Sequence, residues 1–369
     1  MHVVICGGGV IGTACAYELS RRNAQVTLIE RWKVAGAASG KSGGFLARNW
    51  CDGTPVATLA ERSFDLHNTW AERLGNPYGY RSVDTFSAAL DPRLGSAASA
   101  TDMAEWLSPD AGHRRRLGDT TTTAALDPAA FTNALMEAAI GNGADLRLAA
   151  VAGIACASGG SGVEVALDDG ETMTCDAAIL ALGPWSLLAA AWVPLAPVYG
   201  LKGHSIIYRP ERALPAEAIF AEVEAGGDIH TPEIVARADG TVYVCGLAGR
   251  GGLPVDPSRV APETDGSALL HEMAARLVPD LADATVVAKQ ACFRPVTADG
   301  MPLIGPIVDH PGIHVATGHS VWGMLNAPGT AEALADTLLD GAASRLNLAP
   351  FAPDRLAPLD PGHLDFKAG

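Results

Sequence analysis

The first thirty residues constrain this chain more than any other stretch. His2–Cys6 is a short apolar run, β-branched in its middle. It ends in Gly7-Gly8-Gly9, and a helical pattern follows from Val10 to Arg22. Val26–Glu30 is a second apolar run. Strand, tight turn, helix and strand within about 30 residues form the βαβ unit that opens a doubly wound sheet. Gly7-x-Gly9-x-x-Gly12 occupies the turn. Its glycines permit the turn, let a backbone approach a pyrophosphate, and let the helix pack on the strand. The helix start at Val10 and Ile11 offers free N–H groups and the positive end of a dipole. Glu30 closes the second strand, where a carboxylate can accept both ribose hydroxyls and repel a 2′-phosphate. A dinucleotide is expected. The motif alone does not choose between NAD and FAD.

Composition narrows the rest. At 369 residues and 48% apolar content the chain can bury one large or two medium cores. Acidic residues outnumber basic ones 41 to 26, and only the Arg114–Arg116 run clusters positive charge. Nucleic acid and anionic membrane surfaces are therefore disfavoured as partners. No apolar stretch reaches the roughly 18 residues that span a bilayer. Met1–Gly12 runs straight into the motif without a basic leader, so no signal peptide is expected. The seven cysteines (Cys6, Cys15, Cys51, Cys156, Cys175, Cys245, Cys292) are scattered and show no CxxC spacing. That favours a reducing compartment over disulfides or a metal knuckle. The Ala- and Gly-rich composition suits a cytoplasmic protein of a GC-rich bacterium.

Further on, Gly36–Gly44 reads as a loop, Thr54–Leu74 and Asp127–Asn142 as helices, and Tyr78–Leu126 as mixed. Short strands are expected at Ala144–Leu148, Gly153–Ala157, Val163–Leu167 and Ala177–Leu182. Pro194–Pro197 reads as a crossing between domains. Ser205–Tyr208, Ile234–Ala236 and Thr241–Gly246 are strands at hairpin-like spacing, and Asp265–Leu277 is a helix. Pro302–Gly305, Ile313–Ala316 and a helix after Pro328 return to an α/β pattern. This order implies that the chain crosses between two domains more than once.

Four blocks carry a family resemblance. Gly7–Ser20 with Ser39-Gly40-Lys41-Ser42-Gly43-Gly44 is the first, and Ala177–Ser186, containing Gly183 and Trp185, is the second. The third is Arg294-Pro295-x-Thr297-x-Asp299-Gly300-x-Pro302-x-Ile304-Gly305. The fourth is Gly318-His319-x-x-Trp322-Gly323-Met324-x-x-Ala327-Pro328-Gly329-Thr330. Together they resemble the flavin-dependent oxidoreductases of the D-amino-acid oxidase, glycine oxidase and sarcosine oxidase superfamily. The resemblance covers nearly the whole chain and is weakest at residues 80–125 and 210–290. It implies FAD, held by these blocks with Glu30, Arg31 and the backbone of Val151. The implied fold is α/β with an α+β second domain. A Rossmann-like FAD-binding domain (1–80, 127–197, 290–369) would be interleaved with a largely antiparallel β substrate domain (81–126, 198–289). The last loop sets a second glycine-rich turn before a helix, whose N–H groups can stabilise negative charge on a reduced flavin.

The implied reaction oxidises the C–N bond of a small amine or amino acid to an imine, which water then hydrolyses. Electrons would pass to O2 or another acceptor. Positioning dominates such chemistry, so no triad is needed. A carboxylate substrate wants a guanidinium with parallel donors. Arg294 stands where relatives carry their carboxylate-binding arginine, with Asp299 as an alternative structural partner. Arg48 follows the SGKSGGF loop, where an arginine sits near substrate in sarcosine oxidases. Cys292 has the Cys-x-x-x-x-Thr-x-Asp spacing of covalent flavin attachment, although a buried free cysteine fits too. Lys202 or His204 could bring a cation over the flavin. Sarcosine oxidases carry a lysine after the Gly-His turn, whereas this chain has Val321-Trp322, and Trp322 could wall an apolar pocket. The alternatives are a dehydrogenase or tailoring oxidase for a larger amine, and an inactive flavin-binding protein.

Overall fold

The computed structural model describes residues 1–90, 106–158, 162–249, 251–343 and 345–364. Residues 91–105, assigned above to the second domain, lie outside that set.

A six-stranded sheet carries the opening βαβ unit. Its order is Leu303–Pro306, Ile313–Thr317, Ala177–Leu180, His2–Cys6, Gln25–Glu30 and Asp145–Leu148. Neighbours are parallel except the first pair. The central strand is an unbroken apolar run because both its faces are covered. Val3 and Ile5 pack into one cluster with the helices Val10–Ser20, Ala57–Leu74, Pro128–Gly141 and Gly323–Asp340. Val4 and Cys6 point the other way, into a cluster with the three-stranded antiparallel sheet Val151–Cys156, Val163–Leu167 and Thr172–Cys175. The period-two alternation of side chains thus supplies two cores from one strand.

The second large sheet is ordered Thr285–Val296, Tyr199–Arg209, Val242–Ala248, Glu233–Ala236, Glu217–Ala225, Asp84–Leu90 and Gly112–Gly118. Asp228–His230 hangs beside Glu217–Ala225. All pairs are antiparallel except Glu217–Ala225 with Asp84–Leu90. Helix Thr264–Leu277 covers one face, where Leu270, Met273 and Leu277 pack with Ile206, Tyr208 and Val244. The opposite face looks into a cleft shared with the six-stranded sheet. A small sheet of Phe45–Ala47, Arg81–Ser82 and Thr123–Ala125 lies nearby.

Three local details differ from the sequence reading. The Gly36–Gly44 loop contains a one-turn helix, Ala38–Lys41. The strand Thr285–Val296 is twelve residues long and carries Pro295, which an edge strand tolerates. The last long helix starts at Gly323, before Pro328 rather than after it. Pro328 has no N–H for the carbonyl of Met324. The Gly329 N–H goes instead to Ser63 Oγ (3.1 Å). The Met324 and Leu325 carbonyls both accept from His67 Nε2, at 3.0 and 3.1 Å. Ser63 and His67, one turn apart on helix Ala57–Leu74, thus repair the break that proline makes.

Candidate cofactor and substrate cleft

At one end of the cleft lies the glycine turn. Gly7 has φ +116, and an added Cβ would lie 2.4 Å from the Ala181 carbonyl oxygen. No side chain fits there, so the strand can turn directly under a ligand. The Val10 N–H donates to Ser39 Oγ (2.8 Å), while those of Gly9 and Ile11 have no acceptor among the described residues. These free donors at a helix start suit a pyrophosphate. Glu30 Oε2 accepts from Gly8 N at 2.7 Å and Oε1 from Trp32 N at 2.8 Å. Each oxygen keeps a second lone pair, and the fixed carboxylate faces the cleft beside Arg31, Ala149, Ala150 and Val151. Arg31 Nη1 donates to the Val255 carbonyl (3.1 Å), tying the two sides of this end together.

The middle of the cleft is lined by Ser39, Ser42, Gly43, Gly183, Trp185, His319, Gly323 and Met324. Ser42 Oγ is buried without a hydrogen-bond partner among the described residues. Trp185 Nε1 is held by the Pro254 carbonyl at 2.8 Å. His319 Nε2 meets Thr330 Oγ1 at 3.0 Å, and burial pushes its pKa down to about 3, so the ring is neutral. Helix Gly323–Asp340 begins at this wall. Gly12, Gly40, Gly44 and Gly318 stand behind the lining, where an added Cβ would meet neighbours at 1.9, 2.0, 2.0 and 2.7 Å. Lys41 is also behind it, its Nζ donating to the Ala291 carbonyl (3.1 Å).

The far end is walled by the open face of the second sheet. Arg294, Cys292 and Gly203 face it, with Ser205, Cys245, Tyr243 and Glu233. Arg294 Nη2 lies 3.2 Å from where a Cβ on Gly203 would be, so the glycine makes room for the guanidinium. The Arg294 side chain makes no hydrogen bond or ion pair with any described residue, while its backbone pairs in the strand ladder opposite Leu201. Asp299 is bound elsewhere, to Arg355 at 2.8 and 3.0 Å, and Arg355 holds its carboxyl down to about 2. Burial pushes the Cys292 thiol up, against the opposing pull of Arg294 and Lys41. Burial also raises the Glu233 carboxyl, and Arg294 pulls it back. Glu233 accepts weakly from the Cys245 thiol, Sγ to Oε2 3.6 Å. Tyr243 donates its hydroxyl to the Lys41 carbonyl at 3.2 Å.

Four residues named from the sequence are placed differently. Lys202 and His204 lie one residue to either side of Gly203, so strand alternation turns them to the opposite face. There Lys202 Nζ pairs with Glu263 Oε1 at 2.8 Å, and His204 Nε2 accepts from Glu263 N at 3.0 Å. His204 borders the cleft, but its ring is buried under the start of helix Thr264–Leu277. Arg48 is on the surface, its guanidinium 3.3 Å from each oxygen of Asp65. Trp322 does not line the cleft; it stacks on Trp50, edge to face, with centroids 6.4 Å apart. Conversely, Glu233, Tyr243, Cys245 and Ser205 were not singled out in the sequence. The one available signal was a glutamate opening the apolar run Ile234–Ala236. No group of three or more potential metal ligands occurs among the described residues.

With this geometry in view, comparison with known proteins assigns the class. The family described as FAD dependent oxidoreductase, DAO, matches residues 2–337, and the chain belongs to it. The cofactor is FAD. A Schizosaccharomyces pombe protein named as an oxidoreductase is 31% identical, with 96% of this chain and 98% of that protein covered. A glycine oxidase of Pseudomonas putida is 29% identical, covering 96% of this chain and 98% of its own length. Among solved structures, glycine oxidase from Geobacillus kaustophilus superposes with a TM-score of 0.82 at 26% identity, covering 96% and 98% of the two chains. The relatives are both fungal and bacterial, so they do not fix the source. No helix among the described residues is long and apolar enough to cross a membrane.

Proposed function

We propose that this chain oxidises the C–N bond of a small amino acid or related amine. In this reading residues 1–80, 127–197 and 290–369 carry FAD and 81–126 and 198–289 wall the substrate end, joined there by Cys292 and Arg294 from the strand Thr285–Val296. The turn Gly7–Gly12 takes the pyrophosphate, Glu30 the ribose, and Val151 the adenine side. When bound, FAD supplies a two-electron hydride acceptor. The protein's own task is then to hold the substrate carbon against that acceptor and keep bulk water away.

The observation that carries the reading is Arg294. A half-buried guanidinium with no hydrogen bond or ion pair among the described residues, on the wall of a dinucleotide cleft, is suited to receive a carboxylate. Its obvious internal partner, Asp299, is engaged by Arg355. An inactive flavin carrier would have no use for such a group. The glycine oxidases among the relatives support a small amino acid over a bulky amine. O2 is the acceptor expected in an oxidase, and a quinone or protein acceptor in a dehydrogenase.

The test is product analysis. Holoenzyme is incubated in air with D- and L-amino acids, N-methyl amino acids and simple amines, with and without an artificial electron acceptor. The reading predicts a carbonyl product and an equimolar amount of released ammonia or amine from at least one compound. Peroxide formed in step with them identifies an oxidase; turnover only with the artificial acceptor identifies a dehydrogenase. No carbonyl product from any compound contradicts it.

A further inference from the structure

The cleft wall carries a second charged side chain that the reaction as described does not use. Glu233 makes no ion pair with any described residue, and the weak Cys245 thiol contact is its one side-chain hydrogen bond among them. A half-buried carboxylate with so little protein pairing favours a ligand that brings it a positive partner. Its place in the sheet shows what that partner must be. Phe220 lies opposite Glu233, Glu233 opposite Cys245, and Cys245 opposite Ser205, so these side chains share the face that looks into the cleft. Arg294 rises from the edge strand of the same sheet and leans inward over Gly203, toward that row. It stops short of an ion pair with Glu233, yet the two are near enough to feel each other's charge. Next to Glu233 in the same sheet, behind the cleft lining, Phe220 packs on Phe45 and Trp50 with centroids 4.9 and 4.7 Å away. Apolar packing on that side lowers the local dielectric and strengthens the carboxylate's attraction for a cation.

A positive and a negative group on one wall, neither satisfied by the other, are complementary to a ligand carrying both charges. An amine-free acid on Arg294 would leave Glu233 unpaired beside a like charge. A carboxylate-free amine on Glu233 would leave Arg294 empty. Each mismatch carries its own penalty, which is how a site rejects a near-substrate.

We propose that Glu233 is the amine-recognition residue of this cleft, so that the chain selects amino-acid zwitterions over both half-ligands. Its carboxylate takes the substrate ammonium or N–H while Arg294 takes the carboxylate. The inference rests on the C–N reading for where substrate lies and adds which residue holds the nitrogen.

The test uses flavin absorbance of the anaerobic holoenzyme, titrated with two matched sets: glycine, acetate and methylamine, and D-alanine, propionate and ethylamine. Kd is taken from the concentration dependence of the spectral change for compounds that leave the flavin oxidised, and of the rate of bleaching for compounds that reduce it. The wild type should hold an amino acid at least about 10-fold more tightly than its matched acid or amine. Glu233→Gln should weaken the amino acid by about 10- to 100-fold, the range for a lost charge-assisted hydrogen bond, and leave the acid unchanged or tighter. Glu233→Asp should recover part of the loss. Arg294→Gln should weaken amino acid and acid together. An unchanged flavin spectrum in the unliganded variants shows that they fold. The assignment is overturned if Glu233→Gln shifts all three ligands alike or none, if the wild type binds acid as tightly as amino acid, or if no probe perturbs the flavin. If other amines give carbonyl products while the ratios stay flat, Glu233 falls and the C–N reading stands. Zwitterion selectivity without any carbonyl product would remove the chemistry and leave the recognition site.

Discussion

At the scale of single residues, the proposed function rests on Arg294 as the carboxylate receptor, with Gly203 giving its guanidinium room. Arg294→Ala should lower kcat/KM for a carboxylate substrate by about 10²- to 10³-fold, equivalent to about 3–4 kcal/mol, through loss of two charge-assisted hydrogen bonds. Arg294→Lys should recover only part of this, because an ammonium cannot make the parallel pair. Steady-state kinetics on the compound that turns over fastest checks both. Cys292 makes a second, independent prediction. A thiol whose pKa burial has raised holds little thiolate, and thiolate is the nucleophile. The flavin is therefore expected to be non-covalent. Acid precipitation should leave all yellow colour in the supernatant; colour that stays with the pellet contradicts this. The legibility of the sequence divides at the same scale. Glu30, Cys292 and Arg294 could be named because each stands in a motif with fixed spacing. Lys202 and His204 could not be oriented, because a strand's alternation is known only once one of its residues is fixed to a face. Glu233 stayed hidden because nothing in a single strand says which strands will flank it.

At the scale of elements, the fold depends on how its helices meet. The joint between Ala57–Leu74 and Gly323–Asp340 is the sharpest case. His67 is fully buried, and its Nε2–H serves the two carbonyls that Pro328 and Gly329 leave open. His67→Ala should cost about 3 kcal/mol, since it leaves a cavity and buried unpaired carbonyls. Ser63→Ala, which orphans one N–H, should cost about 1 kcal/mol. Urea unfolding of the two variants against wild type measures both, and equal small effects would contradict the account. The sequence could not show this joint. It read Pro328 as a helix start by the usual rule, and the exception needed partners 257 to 266 residues away in the chain. The opening βαβ unit, by contrast, was legible almost to the residue, since every one of its signals is local.

For the whole molecule, the buried histidines tie stability to pH. Burial lowers the pKa of His67 to about 4 and that of His319 to about 3. In the unfolded chain both return to about 6.5. Below that value the unfolded state binds more protons than the folded one, so stability falls as pH falls. The limit is about 1.4 kcal/mol per pH unit for each histidine. Their contribution is complete above about pH 6.5 and is lost progressively towards pH 4. Asp299, held down to about 2, adds a loss of the same sign beginning below about pH 4. Urea midpoints at pH 7.5 and 5.0 should therefore differ, with the acid value lower; equal midpoints contradict the burial of neutral imidazoles.

The architecture also puts the dinucleotide turn and the Arg294 wall at two ends of one cleft. That continuity is the central claim, and one spectrum tests it most directly. The purified holoprotein is titrated anaerobically with D- and L-amino acids, N-methyl amino acids and amines. The account predicts that at least one amino acid bleaches the oxidised flavin band near about 450 nm, and that Arg294→Ala abolishes bleaching at the same concentration. A flavin spectrum that no compound bleaches, or one bleached equally well in the Arg294→Ala variant, contradicts it.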